Sequence, residues 1–102
     1  MESRLELQTL LEELLGSRNV YYQPPASVQI EYDAIIYSRK IIENRHANDS
    51  VYKQDNAYEL IAIYKNPDSE LPKTISQLSM CSFDRHYTAD NLNHDIFTLY
   101  WK

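Results

Sequence analysis

A single glycine and a single cysteine among 102 residues leave little room for several kinds of chemistry. Gly16 alone cannot build a Gly-rich phosphate loop, a dinucleotide fingerprint or a nucleophile elbow, each of which needs two or more glycines at fixed spacing. Cys81 alone cannot close an intrachain disulfide or supply a Cys-rich zinc site. One unpaired cysteine suits a reducing compartment. Basic charge is also short: ten Lys and Arg stand against fifteen Asp and Glu, a net charge of −5. Nucleic-acid affinity rests on Lys and Arg neutralising phosphates, so this balance argues against nucleic acid as the main ligand. Arg39, Lys40 and Arg45 cluster locally, and the plainer reading of them is a solvated strand face. No apolar run approaches the ~18 residues of a membrane span. The opening MESRLELQTL lacks the basic start and apolar block of a secretory signal. These features predict a soluble protein made in the cytosol.

What the chain has is tyrosine, nine residues of it, in an ordinary globular balance of 43% hydrophobic and 25% charged residues. Its length suits one domain, 1–102, able to bury one small core. Leu7, Leu10, Leu11, Leu14 and Leu15 recur at helical spacing and predict an amphipathic helix over 2–15. Gly16 follows as the helix stop, which gives the only glycine a structural role. A short strand is expected over 19–23, closed by Pro24 and Pro25, which block a ladder. Isoleucine and tyrosine dominate 34–42 and predict a strand. A second strand is firm over 57–65, with Tyr58, Leu60, Ala62 and Tyr64 on one face and Ala57, Glu59, Ile61 and Ile63 on the other.

Both faces of 60–64 are largely apolar. Either the stretch is buried on both sides within the chain, or a second subunit covers one face; tyrosine, favoured at interfaces, supports the second. Strands over 34–46 and 51–64 would each extend roughly 40 Å at ~3.3 Å per residue, too long for so small a body. The polar tip, about 43–56, is expected to project as an arm that meets a partner. After it, 66–79 predicts a turn and short helix, with Asp68 or Ser69 as cap, Pro72 in the first turn, and Leu71, Ile75 and Leu78 inward. The last block predicts a hairpin with its turn within 89–93. The fold expected is α+β: a mainly antiparallel sheet with an N-terminal helix and a second short helix on one face, plus a long protruding hairpin.

Cys81, Asp84, His86, Asp90, His94 and Asp95 make the richest reactive cluster. A turn centred on Asp90 sets His86 opposite His94, near enough to share a metal or a proton. The spacing matches no established metal signature. Strand alternation puts Cys81 on the face opposite Asp84 and His86, so a Cys-His-Asp arrangement needs a bulge. The residues predict neither an enzyme nor a bound cofactor or metal.

The element order, with GSRNVYYQPP, YDAIIY, AYELIAIYKNPDSELP and the closing SFDRHYTADNLNHDIFTLYW, resembles the tail terminator family of long-tailed bacteriophages, also called tail completion or head-to-tail joining proteins. The resemblance covers nearly the whole chain as a layout and includes no catalytic signature. It implies a homo-oligomeric ring, usually a hexamer, that caps the tail tube and joins the tail to the head connector. The implied partners are the chain itself, the tail tube protein and the connector or stopper protein, with DNA only passing through the lumen and no membrane. The implied location is the head-proximal end of the virion tail, assembled in the host cytoplasm. An acidic lumen would let DNA slide, in keeping with the −5 balance. Tyr37, Tyr58 and Tyr64 are the candidates for subunit packing. Arg45, His46, Asn48, Asp49 and Tyr52, in the polar tip, are the candidates for partner contact. The competing readings are another head–tail connector or stopper ring, and a small phage-encoded adaptor binding one host protein.

Overall fold

The computed structural model describes residues 3–40 and 56–101. Helix α1, Ser3–Leu15, carries its leucines as the periodicity predicts. Leu7 and Leu11 are completely buried, while Leu5, off the stripe, is 51% exposed. Gly16 ends the helix at φ +81, and its N–H donates to the Glu12 carbonyl at 2.9 Å. Nothing lies within 4 Å of the place a Cβ would take, so the backbone angle, not crowding, calls for glycine.

Among the described residues, five strands form one sheet: β1 Val20–Tyr22, β2 Ala34–Arg39, β3 Asn56–Tyr64, β4 Cys81–Ala89 and β5 Leu92–Trp101, in the order β1-β2-β3-β5-β4. The β2–β3, β3–β5 and β5–β4 pairs are antiparallel, as expected, but β1 runs parallel to β2. The sheet is therefore mixed. Pro24 and Pro25 stop β1, and residues 23–33 carry the chain back so that β2 starts beside β1 in the same direction. Gln23 extends the join: its N–H donates to the Tyr37 carbonyl at 2.9 Å, and its side-chain oxygen accepts from the Arg39 N–H at 3.0 Å. The β2–β3 pairing runs from Ala34↔Ile63 to Arg39↔Tyr58. The expected arm beyond it, with its tip, falls on 41–55 and lies outside the described residues.

Helix α2, Leu71–Ser76, has Pro72 in its first turn, where a missing N–H breaks no bond. The cap position falls on Glu70, whose side chain makes no capping bond, rather than on Asp68 or Ser69 as expected; Ser69 Oγ, one residue earlier, accepts the Leu71 N–H at 3.2 Å. Leu71 and Ile75 are buried and Leu78 is half-buried.

Both helices cover the same face of the sheet. There Leu7, Leu11, Leu71 and Ile75 meet Ile35, Tyr37, Tyr58, Leu60, Tyr64, Phe97 and Leu99 in one core. The opposite face is also largely hidden. Ala34 is completely buried, Ala57 is 2% exposed, and Ile63 and Ile96 are each 4% exposed; Ile36 and Ile61 are half-buried. Burial within the chain thus accounts for the two-sided apolar pattern of 60–64.

The last hairpin differs from expectation by one residue. Its loop is Asp90 and Asn91, at φ 55 and 63, the positive angles of a two-residue type I′ turn. Ala89 therefore faces Leu92, and His86 faces Asp95 rather than His94, which faces Tyr87 instead. A bulge between Phe83 and Arg85 makes a second change. It inserts one extra residue and reverses the alternation. Cys81 and His86 come to share the helix side, which strict alternation had denied them.

Candidate interaction surface and polar clusters

Tyr37, Tyr58 and Tyr64 lie in the core of the chain itself, 0%, 2% and 5% exposed. This corrects their assignment to a subunit contact: strand alternation turns them all toward the helices, where α1 and α2 cover them. Arg45, His46, Asn48, Asp49 and Tyr52 lie outside the described residues.

The ring of Tyr37 sits 4.9 Å from that of Tyr22 and 5.8 Å from that of Tyr58, both tilted toward edge-on. Its hydroxyl donates to Gln8 Oε1 at 2.6 Å and accepts from an Arg4 guanidinium nitrogen at 3.2 Å. Arg4 also lies 4.5 Å over the Tyr22 ring. Gln8 Nε2 donates to the Val20 carbonyl at 3.1 Å, so this network fastens α1 to the first strands. Burial pushes the Tyr37 hydroxyl above its ordinary pKa, and Arg4 opposes that rise.

A second cluster centres on Asp95, 6% exposed. The Tyr64 hydroxyl donates to Asp95 Oδ1 at 3.1 Å, and the same oxygen pairs with Nδ1 of His86 from β4. Three strands thus converge on one carboxylate. Burial first, then the hydrogen bond and charge of Asp95, push the Tyr64 pKa from 10.0 up to about 12.

That shift has a testable sign. An unfolded chain ionises Tyr64 near 10.0, whereas the folded chain holds the proton to about 12. The stability that burial of the neutral phenol supports is complete below pH about 10 and is lost as the pH climbs toward about 12. Urea unfolding midpoints should fall steeply above pH about 10, and less so in Tyr64→Phe.

On the opposite face Lys40 Nζ donates to Thr98 Oγ1 at 3.0 Å, and the Thr98 hydroxyl donates to Asp84 Oδ2 at 2.7 Å. This relay joins β5 and β4 to the residue just after β2. It gives Lys40 a defined partner while leaving it exposed, as a residue of a solvated strand face. Arg39 lies with its guanidinium 6.0 Å from the Tyr58 ring.

Neither polar cluster makes a nucleophile. Burial, then the charge of Asp84, raise the Cys81 pKa, the reverse of what a reactive thiolate needs. His86 is engaged with Asp95, not with Cys81. Among the described residues, no group of three or more His, Cys, Asp or Glu is placed to hold a metal ion. None of the described helices is long and apolar enough to cross a membrane.

Exposed apolar side chains instead gather along the last hairpin. Met80 is 65% exposed, Phe83 53%, Tyr100 41% and Tyr87 38%. Phe83 rests edge-on against Phe97 at 5.6 Å; Tyr87 stacks on His94 at 4.6 Å, with Arg85 5.4 Å from its ring. Their inner neighbours fix these rings, and their outer sides meet solvent. Sequence reasoning missed this surface because aromatic residues in a strand do not disclose whether the strand is central or at the edge. No protein-family model, curated protein or solved structure matches this chain.

Proposed function

We propose that the chain is a structural assembly subunit, the tail terminator of a long-tailed phage, forming a ring that caps the tail tube and joins it to the head connector. The observation that carries the assembly part is the run of exposed Met80, Phe83, Tyr87 and Tyr100 beside one sheet edge. These side chains flank the edge strand β4 on both faces of the sheet, so a protein partner seated along that edge would cover them. The particular role rests on the resemblance in layout. A closed ring needs two different head-to-tail patches on each subunit besides this edge, and residues 45–52 are the candidates for partner contact.

Light scattering of the purified chain, alone and with tail tube protein, tests this reading. The expected result is a closed oligomer that binds tube ends, and phage lacking the protein should make tails of uncontrolled length. Binding to portal or adaptor protein instead would assign it to a connector or stopper ring. A chain absent from purified particles, holding one host protein, would make it an adaptor and overturn the reading.

A further inference from the structure

We propose that two copies of this chain join through β4, edge to edge and antiparallel, about a two-fold axis passing between Asp84 and Arg85. This rests on the assembly reading above and names the partner and the register.

The two edges of the sheet differ. β1 is three residues long and runs into Pro24 and Pro25, which cannot continue a ladder. β4 is nine residues long, contains no proline, and is exposed throughout 82–88. Natural edges are commonly shielded by charge or by a bulge, and β4 has both. Here, however, the bulge and the charges fit a second copy.

The β4–β5 register shows which way each β4 residue points. Cys81 faces Leu99, Phe83 faces Phe97, His86 faces Asp95 and Thr88 faces Asn93, all on the helix side. Ser82 faces Thr98, Arg85 faces Ile96 and Tyr87 faces His94, on the opposite side, where Asp84 also accepts the Thr98 hydroxyl. Because of the bulge, Asp84 and Arg85 share one side. The order of sides is therefore the same read in either direction from the point between them.

In an antiparallel pair, residues directly opposite each other lie on the same face. Turning a second β4 about that point meets this condition at every position. Asp84 comes opposite the second copy's Arg85, and Arg85 opposite its Asp84. Phe83 comes opposite His86, Ser82 opposite Tyr87, and Cys81 opposite Thr88. A register one residue away sets Asp84 on Asp84 or Arg85 on Arg85, and puts Phe83 opposite a residue on the wrong side. An unbulged strand would separate Asp84 from Arg85 and lose the symmetry. With each chain at −5, two copies repel in general, and the reciprocal Asp–Arg contacts select this approach.

The contact is isologous and separate from the head-to-tail contacts within a ring; in a closed assembly it joins two rings face to face.

Charge exchange tests it. Asp84→Arg and Arg85→Asp each place like charges opposite one another twice, so each alone should weaken self-association by about a hundredfold or more. An equal mixture should associate as the unaltered chain does, because the two arginines of one variant meet the two aspartates of the other. The double exchange Asp84→Arg with Arg85→Asp should also associate. Circular dichroism checks that each variant folds. As a readout that needs no variant, β4 amides not bonded to β5 should exchange more slowly with solvent as the concentration of the unaltered chain rises. A chain that is monomeric throughout overturns both this proposal and the assembly reading. An oligomer whose mass and β4 exchange ignore these changes overturns the β4 contact and leaves the assembly reading standing.

Discussion

Replacing Tyr37 with alanine is expected to remove about 3–5 kcal/mol of stability, the range for deleting a large buried ring. A chain of this size has on the order of 5–15 kcal/mol in total, so the loss is a large share of the whole. Tyr37 is completely buried at the centre of β2. Its ring packs against Tyr22 and Tyr58, and its hydroxyl bonds both Gln8 and Arg4 of α1. Alanine would leave a cavity beneath α1 and remove the hydroxyl that Gln8 Oε1 and the Arg4 guanidinium share. Tyr37→Phe keeps the ring and removes the hydroxyl alone, which should cost about 1 kcal/mol. Urea melts of the two variants measure the difference. Because Tyr37 packs and bonds entirely within its own chain, the shift should be the same at low and high protein concentration. A normal melt with altered particle mass would return Tyr37 to an interface role.

Asp95→Ala should cost about 1–3 kcal/mol, mostly the penalty of an unpaired buried hydroxyl. Asp95 accepts the Tyr64 hydroxyl at 3.1 Å and pairs with His86 through the same oxygen. Tyr64 is 5% exposed, too buried for solvent to replace that bond. Removing both members should hurt less than the two single effects added together. A double-mutant cycle on Tyr64→Phe and Asp95→Ala measures that coupling, expected between about 0.5 and 3 kcal/mol for groups in contact. Strict additivity would show that the bond contributes nothing to the fold.

Both predictions concern residues whose types were plain in the sequence and whose roles were not. The spacing of Leu7 and Leu11 is enough to place α1, since it marks one side of a helix. Gly16 is enough to end it, because few other residues accept its backbone angle. The alternation of Tyr58, Leu60, Ala62 and Tyr64 marks one face of a strand. It does not say whether a helix of the same chain or a second subunit covers that face. The answer came from α1 and α2 packing on the same side, an arrangement of elements distant in sequence.

The last hairpin shows the limit more sharply. Its residues predict two strands and a turn, and those are there. A two-residue turn in place of one centred on Asp90 moved the pairings between the turn and the bulge by one, so His86 met Asp95 instead of His94, while Cys81, Ser82 and Phe83 beyond the bulge kept the expected register. A one-residue shift exchanges the faces of a strand, and here it separated the two histidines that a turn centred on Asp90 would have set opposite each other. The bulge then placed Asp84 and Arg85 on one side.

Local sequence was enough for the helices, the strand segments, the stop at Gly16 and the scarcity of cofactor motifs, because each depends on short-range spacing or on one residue's backbone freedom. Strand order, register and the bulge arise only once the chain is folded. They depend on which distant segments pair, and pairing is settled by the packing of whole faces. That packing put the tyrosines of β2 and β3 inside and left β4, with its aromatics and its Asp–Arg step, on the open edge.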